Sequence, residues 1–325
     1  MARAWRLAAV ALMLAGTGAA AAQDYPSRPV TMVVPFAAGG PIDLLGRIIQ
    51  PALAKALGQP VVIENVTGGG GMVGANRVKQ AAPDGYQVVL GSIGTHALSP
   101  LLAKQPLYDP VTDFAPVILV ADLPLVLLAR KDLPAQNLQA FIAYTKANHA
   151  RMQFGSGGTG TSSHIACVLL DQTIGVDVTH IPYRGGGPAL TDMMAGRVDY
   201  LCAYISLAVQ AVAAGQARAL ATFGRLRSPV MPSVPTADEQ GLKGLDAPTW
   251  NAIFAPKGAP PTVVAKLNAA VSQALDDATV RARLAQLGLD VPPPQERTPD
   301  YLARYVAAEK VRWAPAVTAS GAGVE

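Results

Sequence analysis

The sequence predicts an α/β protein of two units, each a mostly parallel sheet flanked by helices, joined by two crossing segments that form a hinge. Three observations predict it. Short apolar, β-branched runs alternate with helical patterns twice over, once before residue 114 and again after residue 130. A long extended run, Phe114 to Arg130, is broken at Asp122 to Pro124, too Pro-marked for a helix and long enough to leave one unit and enter another. Finally, Pro248 to Phe254 reads as a strand that returns to the first unit, which places the crossings near residues 120 to 126 and 244 to 251.

The N-terminus stands outside this fold. Met1 to Arg6 is a basic n-region, Leu7 to Gly18 an apolar h-region, and Ala20-Ala21-Ala22 an A-x-A site, the pattern of a secretory signal peptide over residues 1–22. The apolar run is short for a membrane span, and no cysteine lies beside the cleavage site to carry a lipid, so no membrane insertion of the mature chain is expected. The expected organisation is therefore leader 1–22, first domain 23–123, second domain 124–247, and 248–325 back in the first domain.

Composition narrows the function classes. With 15% charged and 50% hydrophobic residues the 325-residue chain fits a well-packed soluble protein. The net charge is only +4, two of those charges being Arg3 and Arg6 in the leader, which argues against nucleic acid. The two cysteines, Cys167 and Cys202, would be exported to an oxidising space; a disulfide is expected over the alternative of two free buried thiols. His96, His149, His164 and His180 show no ligand spacing, so neither a metal nor a cofactor is expected.

In the first unit, Val30 to Val34 is a buried strand, and Pro35, Gly39, Gly40 and Pro41 break it. A helix follows, with Pro41 at its first position, Asp43 in its first turn and Arg47 four residues on as an ion-pair partner. Strand, glycine loop and helix N-terminus in succession can hold an anion on backbone N–H groups; an ordinary βα turn is the alternative. Pro60 to Glu64 is the second strand, Gly68 to Gly71 a loop, Met72 to Ala82 a helix and Gln87 to Leu90 the third strand, ending in the small-residue loop Gly91 to Thr95. In the second unit come a helix around Leu138 to Asn148, a strand Arg151 to Phe154, a helix Ser162 to Ile174 and a strand Asp177 to Pro182. A helix Pro188 to Ala195, a strand Val198 to Cys202, a helix Ser206 to Ala214 and a strand Arg218 to Thr222 follow. Pro229 to Pro235 is a connector, Pro261 to Asp277 an amphipathic helix, and Thr298 with Pro299 the N-cap and N1 of a last helix. In such sheets ligands gather at the carboxyl ends of the strands, and the cleft between two hinged units is the default site.

The loop Gly155 to His164 concentrates glycines, hydroxyls and a helix N-terminus within ten residues, enough to bind an anion without a charged side chain. Two decoys are set aside. Gly155-x-Gly157-x-x-Gly160 and Gly69-x-Gly71-x-x-Gly74 match a dinucleotide fingerprint, yet neither has an acidic residue closing the next strand. No G-x-S-x-G elbow surrounds Ser156, Ser162 or Ser163, and His164 reads as a packing or capping residue. Arg184, in the junction His180 to Ala189, could meet a carboxylate bidentately, a surface arginine being the alternative; Asp199 reads as architecture.

Together these residues carry a resemblance. Pro35 to Asp43 with Arg47, Glu64-Asn65, Pro83 to Tyr86, the Gly155 to His164 loop, Pro182 to Gly185, Gly196 to Asp199 and Pro235-Thr236 resemble, in order along the whole mature chain, the Bug-type periplasmic solute-binding proteins of tripartite tricarboxylate transporters. The resemblance implies a two-domain periplasmic-binding-protein fold of type II-like design and a receptor, not an enzyme, that hands a small carboxylate to membrane permease subunits. It implies that Phe36, Ala37, Ala38, Gly39, Gly40, Ser92, Thr95, Ser156, Gly157, Thr159, Gly160, Thr161 and Ser162 clamp carboxylate oxygens, with Arg184 a further candidate, and that Cys167 and Cys202 form a helix-to-strand disulfide. Two departures matter: Ile42 replaces a hydroxyl residue common before the loop aspartate, and Ala203-Tyr204 offers no acid for an ammonium group. The expected function is a monomeric periplasmic receptor for a small carboxylate, a dicarboxylate first; a sensor receptor for a two-component kinase and a secreted enzyme acting on a small acid are the alternatives.

Overall fold

The structure is a computed structural model and describes residues 25–224, 226–245 and 249–319. The signal-peptide segment 1–22 and the domain boundary at 247/248 fall outside the described residues. Within them the first sheet comprises β1 (Val30–Val34), β2 (Val61–Asn65), β3 (Gln87–Ser92), β4 (Phe114–Asp122) and β10 (Trp250–Pro256), in the order β2-β1-β3-β10-β4. The second comprises β5 (Leu125–Arg130), β6 (Gln153–Ser156), β7 (Thr179–Pro182), β8 (Tyr200–Tyr204) and β9 (Ala217–Thr222), in the order β7-β6-β8-β5-β9.

Both sheets follow one plan. Neighbours on one side pair in parallel, β2-β1-β3 and β7-β6-β8, while the fourth strand, β10 or β5, runs antiparallel to both of its neighbours. The reason lies in the crossings. Strands such as β1 and β6 point their carboxyl ends at the cleft, so a chain that enters a sheet from the cleft must run the other way. β4 passes directly into β5, and β10 is the return strand. The crossings pair with each other where Leu123 N–H donates to Thr249 O at 3.0 Å and the Thr249 hydroxyl donates to Leu123 O.

Alternation confirms that both faces of each sheet are covered. Val30, Met32 and Val34 enter one apolar cluster and Val33 another; Leu125, Leu127 and Ala129 enter a third, and Val126 and Leu128 a fourth. The helices that cover them are α1 (Pro41–Leu57), α2 (Met72–Lys79), α3 (Ser99–Leu102), α4 (Leu138–Asn148), α5 (Ser162–Ile174), α6 (Gly186–Met194), α7 (Ile205–Ala213), α8 (Pro261–Asp276), α9 (Ala278–Gln286) and α10 (Pro299–Ala319). Helix starts follow local chemistry: Asn137 caps α4, Thr161 caps α5, and Tyr301 N–H donates to Thr298 Oγ1 at 3.1 Å at the head of α10. Among the described residues no helix is long and apolar enough to cross a membrane.

The structure moves several expected boundaries. The carboxyl ends of β3, β6 and β8 reach Ser92, Ser156 and Tyr204, two residues past the ends read from sequence, because ladder partners rather than local propensity decide where a strand stops. The expected small-residue loop after β3 becomes a π-helical turn, Gly94–Leu98, running into α3.

Candidate functional site

The first lobe contributes the loop between β1 and α1. Its shape comes from Asp43, a buried carboxylate that accepts from Gly39 N–H at 2.8 Å, Arg47 Nε at 2.8 Å and Asn65 Nδ2 at 2.9 Å. Burial alone would raise the Asp43 pKa, and the bonds from Arg47, Gly39 and Asn65 more than reverse that, holding it below the usual carboxylate range. Asn65 also donates to Phe36 O, and Gly40 N–H donates to Ala37 O. Beside this loop, Ser92 ends β3. Ser92 N–H donates to Thr95 Oγ1 at 2.9 Å, and Thr95 Oγ1 lies 2.8 Å from His96 Nδ1. His96 is fully buried and stacks on Phe254 with centroids 3.8 Å apart; desolvation drives its pKa down to about 3, so the ring is a neutral prop.

The second lobe contributes the loop between β6 and α5, which is tied by its own hydroxyls. The Thr161 hydroxyl donates to Gly158 O at 2.7 Å, Gly157 N–H donates to Ser163 Oγ at 2.9 Å, and Gly160 N–H donates to His164 Nδ1 at 3.1 Å. His164 thus caps the loop. The Ser162 and Tyr204 hydroxyls meet at 3.0 Å. Cys167 on α5 and Cys202 on β8 form the expected disulfide, with Cα atoms 5.5 Å apart. The lobes touch: Ala37 N–H donates to Arg184 O at 3.3 Å across the cleft.

Between the loops lies a cavity lined from both lobes. Of the residues expected from sequence, Phe36, Gly40, Ser92, Ser156, Gly157, Thr161 and Ser162 line it. Ala37, Ala38 and Gly39 complete the first loop without lining the cavity, while Thr95 and Gly160 support it from behind. Thr159 and the exposed Arg184 lie in an adjoining interlobe groove with the Gly68 to Gly71 turn. Ile42, Ala203 and Tyr204, the positions that depart from the resemblance, all reach the cavity wall.

The lining also includes Gly185, the N-cap of α6, and Tyr204, the N-cap of α7. With Gly40 capping α1 and Thr161 capping α5, the N-termini of α1, α5, α6 and α7 converge on one space. Sequence reasoning found three of these junctions and missed the fourth. From sequence Tyr204 reads only as a residue between the Val198 to Cys202 strand and the following helix that offers no acid. Among the described residues that line the cavity, none carries an ionised side chain: the polar groups are hydroxyls and backbone amides. Burial raises the Tyr204 phenol, partly offset by its bond to Ser162, so it stays a neutral donor. Among the described residues no group of three or more His, Cys, Asp or Glu could hold a metal ion.

Comparison with known proteins agrees with this architecture. The model of the tripartite tricarboxylate transporter family receptor matches residues 45–321. The chain is similar to MatC from Rhodopseudomonas palustris, solved with bound malate, at 45% identity and TM-score 0.88, covering 90% of this chain and 100% of that one. It is similar to the periplasmic binding protein BugD at 36% identity and TM-score 0.89, covering 93% and 100%. A second R. palustris protein, Rpa4515, solved with adipate, aligns at 33% identity and TM-score 0.88, again covering 93% and 100%. The two hinged sheets are thus the fold of the periplasmic binding proteins, and the chain belongs to the family of tripartite tricarboxylate transporter receptors.

Proposed function

We propose that this protein is a monomeric periplasmic receptor that closes over a small dicarboxylate and delivers it to the permease subunits of a tripartite tricarboxylate transporter. The carrying observation is the convergence of the N-termini of α1, α5, α6 and α7 on a cavity walled by uncharged hydroxyls. Each N-terminus carries a partial positive charge and first-turn N–H groups that have no intrahelical carbonyl partner, so an anion is stabilised there without a salt bridge. A hydrogen bond to a charged group contributes roughly 1.5 to 3 kcal/mol, so four or five reach the roughly −8 kcal/mol of a micromolar complex before ordering costs. The malate in MatC and the adipate in Rpa4515 support the ligand class. With Ala203 and Tyr204 in the wall where an acid would be needed, amino acids are disfavoured. The Phe36, Ile42, Ala189, Leu201 and Leu207 side chains give the ligand's carbon chain an apolar bed.

The same reading covers the rest of the chain. Residues 1–22 are removed on export, residues 23–123 and 248–325 make one domain, residues 124–247 make the other, and the protein performs no catalysis. Its test is ligand-dependent thermal stabilisation of protein unfolded and refolded to strip bound ligand, against succinate, malate, adipate, citrate, glutamate, nicotinate and aromatic acids. Stabilisation by a dicarboxylate and not by glutamate is expected. A panel with no carboxylate response overturns the reading.

A further inference from the structure

We propose that His180 is a positioning residue that acts through Ser156, turning the Ser156 hydroxyl into a hydrogen-bond donor aimed into the cleft. The inference rests on the carboxylate reading above and deepens it. Ser156 lines the cavity, whereas His180 sits behind it on β7, and the two meet with Ser156 Oγ 2.7 Å from His180 Nε2.

One proton decides what the cleft meets at Ser156. A serine hydroxyl has one hydrogen and two lone pairs. Gly158 N–H, at 3.1 Å, donates to Ser156 Oγ and fills one lone pair. The nearest carbonyl that could take the serine proton is Gly158 O at 3.2 Å, but that oxygen already accepts from the Thr161 hydroxyl at 2.7 Å and from Thr161 N–H at 3.2 Å. A carbonyl has two lone pairs, and both are taken. The state of His180 therefore decides where the proton goes. With the proton on Nδ1, His180 Nε2 accepts from Ser156, and the cleft faces a serine lone pair that repels a carboxylate. With the proton on Nε2, His180 donates to Ser156, both lone pairs are filled, and the hydrogen points into the cavity as a donor.

The surroundings keep His180 neutral, so the choice is one of tautomer. Burial lowers its pKa to about 4. It is stacked against His164 from α5, with centroids 4.0 Å apart, and against Phe154 from β6 at 4.8 Å. His164 is itself neutral, lowered to about 3 by desolvation and then by His180, and its Nδ1 accepts from Gly160 N–H. The acidic groups nearby are Asp171 of α5 and Asp177 before β7, which line the same outer groove as His180; the Tyr200 hydroxyl lies 2.6 and 2.8 Å from the two Asp171 oxygens. A carboxylate bound at Ser156 stabilises the Nε2–H tautomer, and the Nε2–H tautomer strengthens carboxylate binding, which makes the two linked.

Two measurements with L-malate test this. Long-range proton–nitrogen NMR of histidine-labelled protein is expected to show His180 as the Nε2–H tautomer when malate is bound. Calorimetric titration is expected to show a loss of affinity of about tenfold for His180→Phe, retention for His180→Gln, whose amide still donates, and no further loss when His180→Phe is added to Ser156→Ala. An Nδ1–H tautomer in the complex, equal losses for the Phe and Gln variants, or additive losses for His180→Phe and Ser156→Ala would each overturn the role of His180 alone. Failure of the wild type to bind malate or any other carboxylate would instead overturn the receptor reading, and this inference with it.

Discussion

The Phe36 to Gly40 loop and the Ser156 to Ser163 loop face each other across the cleft and are built by opposite means. The first is organised by a buried charge: Asp43 holds Gly39, Arg47 and Asn65, and the amides of Ala37, Gly39 and Gly40 donate to Arg184 O, Asp43 Oδ2 and Ala37 O. The second is organised by neutral hydroxyls and an imidazole, and its α5 is covalently tied to β8 through Cys167 and Cys202. The difference separates two tasks. The first wall supplies shape and a helix dipole, whereas the second, whose loop amides are engaged as well, adds the Ser156 and Ser162 hydroxyls, which can present a donor to an anion.

Breaking the shape-giving wall is expected to have the largest effect. In Asp43→Ala the Gly39 N–H and the Asn65 amide lose a charged acceptor inside the protein, and Arg47, half exposed, recovers only part of its bonding from water. The expected cost is about 3 kcal/mol, a fall in Tm of roughly 5 °C for a chain of about 300 residues. Thermal unfolding of the purified variant checks it. A Tm unchanged from wild type would mean that the loop holds its shape without Asp43.

Closure is the next link, and it depends on glycine. Gly70 of the first lobe has φ +63°, and a Cβ there would run into Thr159 O of the second lobe. Gly70→Ala is therefore strained where it stands and blocks the approach of the lobes. An affinity loss of about ten- to a hundredfold is expected, with a larger radius of gyration by small-angle scattering in saturating ligand. The lobe opposite makes the control: a Cβ added at Gly187 would meet nothing within 4 Å, so Gly187→Ala is expected to bind normally.

How much of this was legible in the sequence follows the same division. Local signals that act within a few residues survived intact: Pro41 and Asp43 at the head of α1, the Thr298 cap, and α4 and α5; the Cys167–Cys202 pair, 35 residues apart, was legible because the chain has only two cysteines. What depends on partners distant in sequence did not. The antiparallel course of β5 and β10 follows from how the chain crosses the cleft, and the π-helical turn at Gly94–Leu98 is propped by His96 on Phe254, 158 residues away in sequence. For the site, the Gly155 to His164 loop was found from its composition and Phe36, Gly40 and Ser92 through the family resemblance, while Gly185, Leu207 and the capping role of Tyr204 required knowing that α6 and α7 start at the same space as α5.

The smallest effect concerns pH, and it arises behind the donor-rich wall. Asp171 is buried with its carboxylate against the Tyr200 hydroxyl; burial raises its pKa to about 7, a rise that the Tyr200 bond partly offsets and Asp177 slightly adds to. A folded-state value above the unfolded one means that between about pH 4 and 7 the folded protein holds the extra proton, so this group contributes stability at low pH that is lost as pH rises through 7. His164 and His180 act in the opposite sense: lowered to about 3 and about 4 by burial, they withhold protons that the unfolded chain binds, so their contribution falls as pH drops below about 6.5. In the wild type the two trends oppose each other over pH 4 to 6.5. Asp171→Asn keeps an acceptor for Tyr200 and removes one trend, so the variant is expected to lose stability on acidification more steeply than the wild type. Each pH unit of full linkage is at most about 1.4 kcal/mol, and about 1 kcal/mol of divergence is expected between pH 5 and 6, read from parallel denaturant titrations. Parallel pH profiles for the two proteins would show that Asp171 is already ionised in the folded state, leaving the histidines as the lobe's dominant pH-linked groups.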